Sequence, residues 1–332
     1  MAETKEAAAA ASPVEEGRSK TVVVVGVDDS DHSYSALEWA VRYVATASVA
    51  TELVVVHAKQ GASSVFTMGG AAVAGDVSGY VEEDLRKKAD EVIEKVRSLC
   101  VANSVEGVVE VIDGQPGNVI CNAVEKHGAD ILVVGSQGYG AIRRAFLGSV
   151  SDYCAHNANC STNATPAPAA AAAEAEECSS RKTVVVVGVD DSDHSYSALE
   201  WAVQHVAAAA GAQLVVVHGK PSASSVVNFG NPGAGDVVRF VEADLRKRAE
   251  DVVDKAKRLC IANSVHGLIE VIEGEPRYVL CNAVEKHGAD LLVVGSHGYG
   301  AIKRAFLGSV SDYCTHHAHC SVMIVKENKP KK

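Results

Sequence analysis

The sequence predicts an α/β protein built as two tandem open parallel sheets with helices on both faces. Three observations carry this reading. Buried-strand and amphipathic-helix patterns alternate along the chain, almost every pattern occurs twice, and a low-complexity segment separates the copies. The segment KTVVVVGVDDSDHSYSALEWA at Lys20–Ala40 recurs letter for letter at Lys182–Ala202, and CNAVEKHGADILVVGS from Cys121 recurs from Cys281 with one Ile-to-Leu change. The expected organisation is a disordered tail (1–19), a first domain (20–161), an Ala/Pro-rich linker (162–181), a second domain (182–326) and a basic tail (327–332).

Thr21–Val27 is an unbroken valine run, the signature of a strand covered on both faces. Ser33–Ala45 places Ala36, Leu37, Ala40, Val41 and Val44 at helical spacing. Leu53–His57 is a second strand. Val81–Ala102 is an amphipathic helix through Leu85, Ala89, Val92, Ile93, Val96 and Leu99, with a solvated charged face over Glu82–Arg97. Val108–Ile112 is a third strand, and Pro116 introduces a helix over Val119–His127. Ile131–Gly135 is a fourth strand, and Ala141 onward leads into a fourth helix.

The second copy adds a fifth strand at Ser321–Val325, whereas the first continues as Thr162-Asn-Ala-Thr-Pro-Ala-Pro. Proline cannot donate to a ladder, and Asn and Ala are poor strand formers. The first domain is therefore expected to lack its fifth strand, leaving Ile131–Val134 as an apolar edge. Either another element covers that edge, or two chains form a homodimer through Ser321–Val325.

The 332 residues are 47% hydrophobic and 22% charged, with a net charge of −11. That supply suffices for two cores, and the acidic balance excludes a general nucleic-acid binder. The first twenty residues lack an apolar stretch and hold four glutamates, which argues against a secretory signal or an organellar transit peptide. No run of eighteen apolar residues offers a membrane span. Nine cysteines without a secretory signal point to reduced thiols in the cytoplasm, with nuclear residence also open, and make the sequons at Asn159 and Asn163 idle.

In an open parallel sheet, ligands bind at the carboxyl ends of the strands. There stand Asp28 and Asp29 after strand one, and a glycine-rich stretch after strand four. The stretch reads G-x2-G-x9-G-S in both copies, as Gly135, Gly138, Gly148 and Ser149, and as Gly295, Gly298, Gly308 and Ser309. Glycines permit close approach and positive φ. Ser149 or Ser309 opens a helix whose N–H groups and dipole suit a phosphate, and the Ser149 and Ser151 hydroxyls can add donors. The pattern is neither a Walker loop nor the dinucleotide G-x-G-x-x-G fingerprint.

Each copy resembles the universal stress protein family, whose ATP-binding members carry G-x2-G-x9-G-S/T after strand four. The resemblance includes the opening V-D-x-S, present as Val27-Asp28-Asp29-Ser30 and Val189-Asp190-Asp191-Ser192. It implies a Rossmann-like fold and an ATP site per copy, with Mg2+ or Mn2+ accompanying the nucleotide. Asp28 then meets the ribose and the Ala58 backbone meets adenine. Gly135, Gln137, Gly138, Gly148, Ser149, Val150 and Ser151 form the ribose and phosphate loop. The second copy supplies Val189, Asp190, Gly219, Gly295, His297, Gly298, Gly308, Ser309, Val310 and Ser311, Gln137 being the departure from the more family-like His297. Family fifth strands pair across two-fold dimers, a pairing the missing strand would deny to these two lobes.

Cys314-Thr-His316-His317-Ala-His319-Cys320 imitates a metal cluster, but Cys314 and Cys320 would lie on different turns, so buried cysteines and exposed histidines are expected and no metal site is assigned. Cys100, Cys121, Cys260 and Cys281 read as small core residues. His57 and His218 read as structural hydrogen-bonders, Trp39 and Trp201 as core. The expected function is an ATP-binding stress-response regulator with two sites, acting through nucleotide-dependent conformation or partner choice. It has unidentified protein partners and no membrane or direct nucleic-acid contact. A slow ATPase or nucleotidyl-transferring enzyme on the same fold is the alternative; Arg143, Arg144, Lys303 and Arg304 are the nearby cations.

Overall fold

The valine runs of both copies become strands with neither face open to solvent. The computed structural model describes residues 20–46, 50–59, 76–136, 147–166, 182–207, 212–226, 234–297 and 307–326. In the first lobe these form β1 (Thr21–Val27), α1 (Asp31–Thr46), β2 (Thr51–Lys59), α2 (Asp76–Ala102), β3 (Gly107–Asp113), α3 (Pro116–His127), β4 (Ile131–Gly135), α4 (Ser149–Asn157) and β5 (Ser161–Thr165). The second repeats the plan as β6 (Val184–Gly188), α5 (Asp193–Ala202), β7 (Gln213–Lys220), α6 (Ala223–Val226), α7 (Ala234–Ala262), β8 (Gly267–Glu273), α8 (Pro276–His287), β9 (Leu291–Gly295), α9 (Ser309–His317) and β10 (Ser321–Val325). A π turn over Val203–Ala207 extends α5.

Alternate valines of β1 serve opposite layers, as period-two geometry requires. Val23, Val25 and Val27 pack with Ala36, Leu37 and Ala40 of α1 and Val92 and Val96 of α2. Val24 packs with Val119, Ile120 and Val124 of α3 and Cys154 of α4.

The strands form one ten-stranded sheet in the order β3-β2-β1-β4-β5-β10-β9-β6-β7-β8. This corrects the expectation of a missing strand, and places residues 162–165 in the first lobe rather than in a linker. β5 runs parallel to β4, pairing Ile131 with Ser161 and Gly135 with Thr165. Its other edge pairs antiparallel with β10, Asn163 opposite Met323. Weak intrinsic propensity is overridden because both edges of β5 are hydrogen-bonded and all five residues are buried. The Thr165 hydroxyl donates to Asn163 Oδ1 at 2.7 Å, and Pro166 follows the ladder rather than interrupting it. β10 is paired on both sides, by β5 and β9, so Ser321–Val325 offers no open edge for a homodimer. The antiparallel fifth-strand pairing that the resemblance implied between chains is made here between the lobes.

One core layer runs beneath both lobes, joining Val23 and Leu53 to Val185, Leu214 and Met323. On it Trp39 stacks on Tyr43 at 5.3 Å, Tyr43 on Trp201 at 6.3 Å and Trp201 on His205 at 5.1 Å, tying α1 to α5. On the opposite face Lys326 closes the seam, its Nζ donating to the carbonyls of Ala155 at 2.8 Å and Ala158 at 2.6 Å at the end of α4. Burial holds this ammonium below its ordinary pKa. No helix among the described residues is long and apolar enough to cross a membrane.

Candidate functional site

The sheet brings the ends of β1, β4 and β5 and the start of α4 to one rim, and hydrogen bonds lock them into a frame. Asp28 Oδ1 accepts from the Ser30 amide at 3.1 Å and the Ser30 hydroxyl at 2.5 Å, while the Asp28 amide donates to Ser33 Oγ at 3.3 Å. This Asx-type turn starts α1 and leaves Asp28 exposed at the rim. Asp190, Ser192 and Ser195 repeat it. Asp29 and Asp191 hold φ near 68° and 69°. Asp29 Oδ1 accepts from the Tyr34 hydroxyl at 2.5 Å and from Lys95 at 2.8 Å, so one lysine of the expected solvated face reaches over to the site. Lys255 lies 3.7 Å from the Tyr196 ring centroid in the second lobe.

Gly135 ends β4 where a Cβ would come within 2.7 Å of the His32 carbonyl carbon; Gly295 meets His194 the same way. The Ser151 hydroxyl donates to the Gly135 carbonyl at 2.5 Å, and that of Ser311 to Gly295 at 2.6 Å. These buried hydroxyls fasten α4 and α9 to the strand ends, which corrects the expected role of the Ser151 hydroxyl as an extra ligand donor. The Gly148 amide donates to the Ser136 carbonyl at 2.6 Å, and that of Gly308 to Ser296 at 2.8 Å. Gly148 and Gly308 are N-caps at φ −65° and −64° with no side-chain cap. Positive φ is therefore not what these glycines supply. The amides of Ser149, Val150 and Ser151, and of Ser309, Val310 and Ser311, are the orphan donors of the two helix starts. Ser149 and Ser309 are exposed.

The His57 Nδ1–H donates to the Val27 carbonyl at 2.8 Å, and that of His218 to Val189 at 2.8 Å, so both are the structural tethers expected. Ala58 pairs with Ile112 and Gly219 with Ile272 next to these tethers; a Cβ on Gly219 would meet Pro276 at 2.9 Å. His297 stands beside the second-lobe loop, its Nδ1 3.1 Å from Ser296 Oγ and its ring 5.4 Å from that of His194. Gln137, Gly138, Gly298, Arg143, Arg144, Lys303 and Arg304 lie outside the described residues.

Sequence reasoning missed His32 and His194, the last residues of V-D-D-S-D-H. Their signal was position, since they follow the strand-one acid into the first turn of the helix. Burial lowers the His32 pKa, against the opposing charges of Asp31 and Asp28.

Cys314 and Cys320 are buried, while His317 stacks on Tyr313 at 3.8 Å and His319 is exposed. The hydrogen bond with Cys154 holds the Cys121 thiol below its usual range, against burial, as Cys314 does for Cys281. Burial pushes Cys160 and Cys320 up to about 12.

The model of the universal stress protein family matches residues 21–165 and 183–326. A universal stress protein of Mycobacterium tuberculosis is 28% identical over 319 residues, covering 92% of this chain and 94% of that protein. A universal stress protein A-like protein of Arabidopsis thaliana is 46% identical over 55 residues, 17% of this chain and 31% of that relative, so the chain spans about a third of its length. The crystal structure of a universal stress protein from Archaeoglobus fulgidus is similar in fold, with a TM-score of 0.61 at 20% identity over 92% of this chain and 98% of that one. With one family match in each lobe and the two lobes sharing a sheet, this chain belongs to the universal stress protein family.

Proposed function

We propose that each lobe binds an adenine nucleotide, ATP, at the carboxyl rim of its half-sheet, and that the protein is a cytoplasmic or nuclear stress-response regulator. The observation that carries this is the pair of helix starts at Gly148 and Gly308, neither closed by a side-chain cap. Orphan amides and the helix dipole there suit a phosphate. Asp28 and Asp190 have one carboxylate oxygen taken by the turn, and Oδ2, with no bond among the described residues, suits a ribose hydroxyl. These donor sets fit a nucleotide; a divalent cation bound with it would neutralise phosphate charge. Asp152 and Asp312 in the first helical turns oppose a bare polyanion, which favours the metal-complexed form. The nucleotide would bias the glycine-rich loops between two arrangements with different partner affinity. Free thiols at every described cysteine agree with a reducing compartment.

The test is titration calorimetry on wild type and on Gly148→Val with Gly308→Val. Hydrogen bonds to charged groups are worth about 1.5–3 kcal/mol each, so the double variant should lose measurable ATP affinity with its fold intact. Equal affinities would refute the site. Magnesium-dependent turnover should fall well below about 10 s⁻¹, the enzyme median; a rate near that value, lost in Asp28→Asn with Asp190→Asn, would favour the enzyme reading.

A further inference from the structure

The antiparallel seam has a product that neither repeat contains alone. α4 and α9 flank β5 and β10, and Asp152 and Asp312 of their first turns meet His156 of the last turn of α4. One ligand atom from each lies within 4.8 Å of the others. His316, the counterpart of His156, stands with Nδ1 3.9 Å from Asp312 Oδ1, as His156 Nδ1 stands 3.5 Å from Asp152 Oδ1. The Nδ1–H of His156 donates to the Asp152 carbonyl at 2.9 Å, and that of His316 to the Asp312 carbonyl at 2.7 Å. Each neutral ring therefore carries its lone pair on Nε2, with a backbone carbonyl fixing the tautomer, the arrangement common to metal-ligating histidines. Among the described residues no lysine or arginine forms an ion pair with Asp152 or Asp312.

We propose that Asp152, His156 and Asp312, with His316 swinging in from beside Asp312 as fourth ligand, bind one divalent transition-metal ion of the zinc class at the seam between the lobes. Two carboxylates with imidazole nitrogen suit zinc or cobalt better than magnesium or calcium, which prefer all-oxygen shells. For Asp152, His156 and Asp312, whose ligand atoms lie within 4.8 Å of one another, bonds of about 2.0–2.2 Å require each donor to close in by no more than about 1 Å, within reach of partly exposed side chains. The ion would clamp α4 to α9 and so fix the rim angle between the two nucleotide sites. The inference goes beyond nucleotide binding; its effect on the rim rests on that reading, but metal uptake is measured without nucleotide.

The test uses metal-stripped, nucleotide-free full chain, titrated with Zn2+ by calorimetry and with Co2+ by visible absorption. Saturable uptake of about one ion per chain is expected, with a cobalt spectrum free of thiolate charge transfer. Removing ligands should cost at least about tenfold in affinity, both in Asp152→Asn with Asp312→Asn and in His156→Ala with His316→Ala. His319→Ala should bind as wild type does. Absence of saturable uptake, a smaller loss in both double variants, or a thiolate band placing the ion on cysteine would each overturn the proposal. Folding of every variant is checked by circular dichroism, and a failed fold in one double variant leaves the other to decide.

Discussion

Gly135 and Gly148 belong to one spacing motif, yet different physics fixes each. A Cβ at Gly135 would strike backbone atoms of His32 at 2.7–2.8 Å, and backbone cannot swing aside. Gly135→Ala or Gly295→Ala should cost about 1–3 kcal/mol, the range for overpacking, read as a lower melting temperature without nucleotide. Gly148→Ala at φ −65° should stay within about 0.5 kcal/mol of wild type, and equal losses for the two would contradict this account. Spacing placed Gly135, Gly148 and Asp28 where the structure has them, at the ends of β4 and β1 and the start of α4, but a hydroxyl's partner depends on which carbonyl the fold brings near. That is why Ser151 read as a ligand donor and is a fastener. Asn163 is a second residue whose role emerges only in three dimensions: its Nδ2 is buried without a hydrogen-bond partner, opposite Met323. An unpaired buried donor costs about 1–3 kcal/mol, so Asn163→Met should raise the melting temperature, and a lower one would show that the Thr165 bond outweighs that cost.

Each edge strand is pinned to the end of a helix by a charge cluster. Glu110 on β3 receives Lys126 at 2.7 Å and His127 at 3.2 Å from the last turn of α3, and Glu270 on β8 receives Lys286 and His287 in the same way. The Lys126 hydrogen bond, aided by His127 and opposed by burial, holds the Glu110 carboxyl below its ordinary 4.5; Lys286 and His287 do the same for Glu270. With the folded pKa depressed, the unfolded chain binds more protons, so this stabilisation is full above about pH 4.5 and lost as pH falls through the folded value. Glu110→Gln should therefore melt earlier than wild type near pH 7, with the gap closing below pH 4.5; a gap that widened on acidification would refute the sign. Among elements, the valine strands and the Pro116 helix were legible because their residues suit both local propensity and final burial. β5 was not, since its polar residues become strand only when β4 and β10 supply both ladders, a fact recorded nowhere in residues 161–165.

The two lobes share a sheet and a core layer, so they should unfold together. Calorimetry should show a single transition with matching calorimetric and van't Hoff enthalpies, and two resolved transitions would contradict the shared core. Met323→Pro removes a ladder donor at the buried seam and should cost about 3 kcal/mol or more; an unchanged melt would refute the seam's importance. The arrangement also governs how the chain is made. β10, which completes the middle of the sheet, leaves the ribosome after all nine other strands, and its partner β5 precedes it by the linker and nearly all of the second lobe. At about 5–20 residues per second, β5 waits roughly ten to thirty seconds with one ladder edge unfilled. Biosynthesis thus passes through a nascent intermediate with an exposed strand edge at its centre, a substrate for chaperones and for pairing between neighbouring chains on one polysome.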